Sequence, residues 1–162
     1  MTLPPTPSQT VGPYYTIGLC RRVENELVPA GDPEAFRLTG RLLDGDDQPI
    51  VDGMIEAWDA NGGRWGRSST DGEGRYSFVI GRPGAAAGEA PHLDLYVFAR
   101  GLLKHQLTRM YFPDEAEVNA SDPVLALLPV ADRALLVAEQ EDGAVRFDIR
   151  MQGEQQTVFF SL

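Results

Sequence analysis

The sequence predicts an all-β protein, an antiparallel β-sandwich of about eight strands with an extended N-terminal arm. Three observations predict it. Short segments alternate apolar and polar residues with period two, Asp- and Gly-rich clusters separate them, and no apolar stripe at helical spacing persists for three turns. Residues 1–35 read as the arm. Pro4, Pro5, Pro7 and Pro13 set φ and remove backbone donors, which favours extended chain. Tyr14, Tyr15, Ile17 and Leu19 are too apolar for a solvated tail, so the arm is expected to lie on this domain, on a partner chain, or on both.

Residues 36–162 read as one domain. Phe36 to Leu43 alternates and ends at the turn cluster Asp44-Gly45-Asp46-Asp47. Met54 to Trp58 alternates again and stops at Asp59-Ala-Asn-Gly-Gly63, and Arg75 to Ile80 follows the turn Asp71-Gly-Glu-Gly74. His92 to Phe98, Leu107 to Phe112, Ala134 to Ala138, Val145 to Ile149 and Thr157 to Phe160 complete the strand set. One helical stretch is expected, the acidic run Asp114 to Ala120, with Pro113 suited to its N-terminal position.

Composition narrows the function classes. The chain has 162 residues, 43% of them hydrophobic and 23% charged, the profile of a globular domain that needs no disulfide or metal staple. Cys20 is the sole cysteine, which excludes an intrachain disulfide and any multi-cysteine metal site. Fourteen Lys and Arg against 24 Asp and Glu give a net charge of −10, a balance that disfavours nucleic-acid and anionic-membrane surfaces. No apolar stretch approaches a membrane span, and the N-terminal segment has no charged region followed by an apolar run, so a cytoplasmic location is expected.

Nucleophile elbows, the His-Glu-x-x-His zinc motif, P-loops and dinucleotide fingerprints are all missing. Cys20 stands in the arm with no histidine nearby and reads as an inert thiol. His92 and Asp94 are two apart on a strand and therefore share a face. That spacing serves two metal ligands, a carboxylate orienting an imidazole, or simply a polar strand face. His105 falls in a surface connection. Arg100 follows the apolar run Leu95 to Ala99 and precedes Gly101; it reads either as an anion-binding guanidinium at a strand end or as a surface arginine.

Longer stretches carry a family likeness. Pro7-Ser-Gln-Thr-Val-Gly-Pro-Tyr14, Ile17-Gly-Leu19, Leu38-Thr-Gly-Arg-Leu-Leu-Asp44, Glu56-Ala-Trp58, Gly66-Arg67, Ala90-Pro-His92, Phe98-Ala-Arg-Gly101, Thr108 to Glu115 and Arg146 to Glu154 occur in order over nearly the whole chain. Together they resemble the α subunits of the intradiol ring-cleavage dioxygenases, the family of protocatechuate 3,4-dioxygenase. The resemblance implies a heteromer of α and β chains, itself a higher oligomer of αβ protomers, with an active site at the α–β interface. It implies a non-haem Fe(III) cofactor bound by the partner β subunit through two tyrosines and a His-x-His pair. Here Asp94 stands where the second of those histidines would fall and Trp65 where the first tyrosine would, and Gly81 to Pro91 contains no tyrosine. An indole has no lone pair for a metal. No metal ligands are therefore expected in this chain.

The resemblance further implies that Thr10, Gly12, Pro13 and Tyr14 of the arm border the substrate pocket and that Arg100 reaches it as the catalytic arginine. The implied reaction is O2-dependent cleavage of the catechol protocatechuate to 3-carboxy-cis,cis-muconate, a step of aromatic catabolism in the β-ketoadipate pathway. The half-motif Gly40 to Asp44 with Thr70 to Phe78 is also similar to prealbumin-like interaction modules, in which it is only a strand-turn-strand device. The arm and the C-terminal block have no counterpart in such modules.

Overall fold

The computed structural model describes residues 3–12, 14–20, 24–85 and 88–161. The elements are α1 (Tyr15–Leu19), β1 (Phe36–Leu43), β2 (Met54–Asp59), β3 (Arg64–Ser69), β4 (Arg75–Ile80), β5 (His92–Phe98) and β6 (Gln106–Tyr111). A 3-10 turn (Pro113–Glu115) and three short helices follow, α2 (Ala116–Ala120), α3 (Pro123–Ala126) and α4 (Val130–Ala134), and then β7 (Glu139–Glu141), β8 (Ala144–Arg146) and β9 (Ile149–Arg150).

Alternation along the strands builds the sandwich. In β5, Leu93, Leu95 and Val97 are buried while His92, Asp94, Tyr96 and Phe98 face the other way. β2, β4 and β6 add Ile55, Ala57, Phe78, Ile80 and Met110, and β1 adds Leu38 and Leu42, to a core that lies between two sheets. One sheet, in the order β3-β2-β5-β6, is antiparallel throughout. The other has the order β4-β1-β8-β7, with β9 also on β1. This second sheet is mixed, because β8 and β9 both run parallel to β1. The antiparallel expectation therefore holds for the first sheet and for β1–β4 and β7–β8 of the second.

Several elements differ from the sequence reading. β3 and β7 are short, polar edge strands, and their alternation gives no apolar signal. Val130–Ala134 is helical, and the segment after it forms an isolated bridge to β6, Val137 opposite Tyr111, through Leu136 O and Ala138 N. Thr157 to Phe160 is likewise reduced to one bridge, Phe160 to Leu107. The run Asp114 to Ala120 is helical as expected, entered through Pro113. Within the arm, Tyr15–Leu19 forms one helical turn, too short to leave a periodic pattern.

The last part of the arm, from Glu24 on, closes one side of the sandwich. The Glu24 carbonyl accepts from Arg67 N on β3 at 2.7 Å, while the Asn25 carbonyl accepts from Val79 N on β4 at 2.8 Å. Leu27 N donates to Val79 O and its side chain joins the core. One donor on the edge strand of each sheet, Arg67 N on β3 and Val79 N on β4, is thereby satisfied without a further strand.

Candidate functional site

The arm is fastened beside the turn that follows β5. Tyr15 Oη lies 2.8 Å from the Asp52 carbonyl and 2.7 Å from the Phe98 carbonyl, so its hydroxyl hydrogen is shared between the β1–β2 connection and the end of β5. Burial, with Asp52 adding, pushes this phenol well above its ordinary value. Thr10 Oγ1 accepts from the Gly101 N–H at 2.8 Å. Gly101 has φ +89°, a left-handed conformation that glycine adopts without strain and that turns the chain just after Arg100. Arg100 Nε pairs with Asp52 Oδ2, which is buried and has no hydrogen-bond partner among the described residues; the Arg100 side chain itself is 58% exposed. Beneath the arm runs a groove of about 580 Å³ between Gln9, Val11, Phe98, Leu102, His105 and Phe160.

Of the residues singled out in the sequence, Thr10 and Arg100 are thus brought to one turn. Tyr14 is 77% exposed, and a Cβ added at Gly12 would meet only open space, so both stand free of the domain. Pro13 lies outside the described residues. Sequence reasoning missed Tyr15 as an anchor and Asp52 as the counter-ion of Arg100. Tyr15 was visible only as one more apolar residue of the arm, and Asp52 sits in an ordinary Val-Asp-Gly turn with nothing local to mark it. His105 is exposed, as expected, with its ring 5.3 Å from Tyr96 and 5.5 Å from Phe98. Burial pushes the Cys20 thiol up, partly opposed by Arg67, which suits the inert reading.

The second cluster lies on the outer face of the β3-β2-β5-β6 sheet, where register sets Trp65, Trp58, Asp94 and Arg109 in a row. Arg109 Nη1 reaches Glu89 Oε2 at 2.8 Å and Nε reaches Asp94 Oδ1 at 3.1 Å. Burial works against the Arg109 charge, but the Tyr111 hydroxyl, Asp94 and Glu89 outweigh it and raise its pKa. His92 Nδ1 lies 2.8 Å from the Ala90 carbonyl. Asp122 underpins the cluster from behind. Its Oδ1 accepts from Val124 N, Leu125 N and Tyr111 Oη, and its Oδ2 accepts from Ala90 N. Arg67 performs a comparable service at the sheet edge, binding Glu56 at 2.6 Å and the Leu19 carbonyl of the arm at 3.3 Å.

No family model matches the chain. Among solved structures, an intradiol ring-cleavage dioxygenase from Tetranychus urticae superposes with a TM-score of 0.64 at 14% identity, covering 79% of this chain and 85% of that one. The fold is accordingly that of the intradiol dioxygenases, a class of oxidoreductases that use non-haem iron. Curated sequences narrow this further. The chain is 39% identical over 195 aligned positions to the protocatechuate 3,4-dioxygenase alpha chain of Burkholderia cepacia, covering 99% of each. It is also 31% identical over 166 positions to the beta chain from the same organism, covering 80% of this chain and 70% of that one. The chain belongs to the protocatechuate 3,4-dioxygenase family, on its alpha-chain side.

The donor set at the outer sheet face does not fit a ferric ion. Glu89 and Asp94 are both taken by the Arg109 guanidinium. Trp65 Nε1 is buried with no hydrogen-bond partner among the described residues, and it is a donor that cannot ligate.

Proposed function

We propose that this chain is the α subunit of a protocatechuate 3,4-dioxygenase, completing with the arm and Arg100 a substrate pocket whose Fe(III) belongs to the partner β subunit. The observation that carries the proposal is the fastening of the arm by Thr10 and Tyr15 beside Arg100. Residues 1–35 are the arm at the subunit interface, and residues 36–162 the intradiol-type domain. The acidic, single-cysteine composition suits the cytoplasm; among the described residues no helix is long and apolar enough to cross a membrane.

The overall reaction sets the demands on this chain. In 3,4-dihydroxybenzoate the bond between the two hydroxylated carbons breaks, and each carbon takes one atom of O2 and becomes a carboxyl carbon. The product, 3-carboxy-cis,cis-muconate, carries three carboxylates where the substrate carried one. A guanidinium at the pocket therefore gains importance as charge develops. Asp52 holds the Nε edge of Arg100 and leaves the Nη pair for an anion. Thr10 Oγ1, already accepting from Gly101, has its own hydrogen left to donate, with only a long 3.4 Å contact to the Val11 carbonyl competing. Gly12 and Tyr14, free of the domain, are placed to meet the partner subunit and the flat ring.

Iron content and visible absorption of the chain, purified alone and then with its β subunit, test this reading. The expected outcome is an iron-free chain alone and a coloured, active complex. In that complex Arg100→Ala should lower kcat/KM by about 10- to 100-fold, in line with the ~1.5–3 kcal/mol of a charge-assisted hydrogen bond. Thr10→Val should lower it by about 3- to 10-fold, and neither change should alter the iron content. Stoichiometric iron in the chain alone, or full activity in Arg100→Ala, would defeat the proposal.

A further inference from the structure

We propose that the groove beneath the arm is a binding site for a small aromatic carboxylate, with Lys104 and His105 meeting the carboxylate and Phe98 and Phe160 the ring. None of the residues assigned to the substrate pocket above lines this groove, so the two readings stand or fall separately.

The fold makes the groove where β5 turns back into β6. Phe98 faces outward from β5 with Tyr96, and Leu107 of β6 stands opposite Tyr96 on the same side. Phe160 is brought alongside by its backbone, since Phe160 N donates to the Leu107 carbonyl at 2.8 Å. Leu102 comes from the turn after Arg100, and Val11 from the arm above, where neighbouring Thr10 accepts from Gly101 N at 2.8 Å. The result is a largely apolar trough of about 580 Å³, within the roughly 300–1,000 Å³ usual for small-molecule sites.

Its polar groups have no partners within the chain. Gln9, Lys104, His105, Gln106 and Ser161 line the groove, and none of their side chains makes a hydrogen bond or ion pair among the described residues. Elsewhere the cations are answered: Arg64, Arg67, Arg75, Arg82, Arg109 and Arg146 each pair with a carboxylate. The groove has no Asp or Glu in its lining, although the chain holds 24 of them. An apolar trough with a free ammonium and no carboxylate favours an anion over a cation or a neutral molecule.

The imidazole extends the aromatic surface. The His105 ring lies 5.3 Å from Tyr96 and 5.5 Å from Phe98, so ring faces continue from the sheet into the groove. A flat ring can lie against Phe98 and Phe160 while its carboxylate accepts from Lys104 and His105.

Benzoate is the probe, titrated by calorimetry into the protein as it purifies, with its β subunit if it needs one. Catechol is present at saturation and O2 is excluded, so that the pocket proposed above is already filled by a ligand without a carboxylate. One benzoate should bind per chain. Lys104→Met should weaken it by about tenfold or more, and Lys104→Arg should retain it. Val11→Trp, which fills the groove and keeps its charge, should abolish binding, whereas Arg100→Ala should leave it in place. Benzamide, with the ring but no charge, and cyclohexanecarboxylate, with the charge but no flat ring, should each bind more weakly than benzoate. Absence of benzoate binding, or binding that survives both Lys104→Met and Val11→Trp, would overturn the proposal. So would either comparison compound binding as tightly as benzoate, or loss of binding in Arg100→Ala, which would put the ligand at that arginine instead.

Discussion

Tyrosine 15 shows how one hydroxyl can decide where a flexible segment lies. Its oxygen is positioned between two backbone carbonyls, one from the β1–β2 connection and one from the end of β5, so the arm has a defined seat although most of its other side chains are exposed. The same chemistry recurs at Tyr76, whose hydroxyl donates to the buried Phe147 carbonyl, and at Tyr111, which donates to Asp122. Burial raises all three phenols, with Asp52, Asp148 and Asp122 respectively adding to it; Tyr111 is pushed up to about 12, although Arg109 pulls the other way. The unfolded phenol ionises near 10, so the folded chain holds these protons to higher pH than the unfolded chain does. Stability is therefore fully present below about pH 10 and falls as pH rises through the folded values. Ultraviolet titration of the folded protein should show three of the five tyrosines ionising late, with the urea midpoint dropping over the same range. Simultaneous ionisation of all five near the ordinary phenol value would contradict the burial described for these side chains.

At the scale of elements, β1 carries a close contact that only a glycine permits. Phe147 lies between β8 and β9, where Phe147 N donates to Thr39 O and the Asp148 carboxylate accepts from Arg41 N in place of a strand carbonyl. The Phe147 carbonyl and the Tyr76 ring then pack directly over Gly40, and a Cβ built there would stand 2.0 Å from that oxygen. Both close neighbours are fixed, one as backbone and the other as a buried ring bonded to it. Gly40→Ala should consequently force β1 away from Phe147 and cost about 2–4 kcal/mol, read as a lower midpoint in chemical denaturation. An unchanged midpoint would mean that the two parallel strands are not seated on β1 as described. Glycine at this position reads in the sequence as an ordinary strand residue, since the clash comes from a chain segment more than a hundred residues away.

For the molecule as a whole, apolar surface is concentrated on the arm and on the short helices. Leu3, Tyr14, Ile17 and Leu19 are exposed on the first, Val118, Leu127 and Val130 on the second, while Leu27 and Val28 at the end of the arm are buried. The arm is thus expected to serve association and the core to do without most of it. Deleting the residues before Tyr14 should leave the Tm of the domain nearly unchanged, yet weaken assembly with the β subunit and raise KM for the catechol. Sedimentation of the mixed subunits at micromolar concentration would check the first effect, and steady-state kinetics the second. A truncated chain that assembles and turns over normally would remove the arm from the proposed pocket.

Local pattern was enough to read much of this protein. Period-two alternation marked β1, β2, β4, β5 and β6, Asp-Gly clusters marked the turns between them, and proline set the arm apart. The resemblance argued against iron ligation, because Trp65 stands where it implies a tyrosine ligand and an indole has no lone pair for a metal. Tertiary structure decided the rest. The mixed second sheet, the seat of Tyr15, the pairing of Arg100 with Asp52 and the placement of Arg109 between Glu89 and Asp94 all join residues distant in the chain. Such contacts depend on strand register and on where connections cross the sheet edges. A chain segment carries no signal for them until its partner is in place.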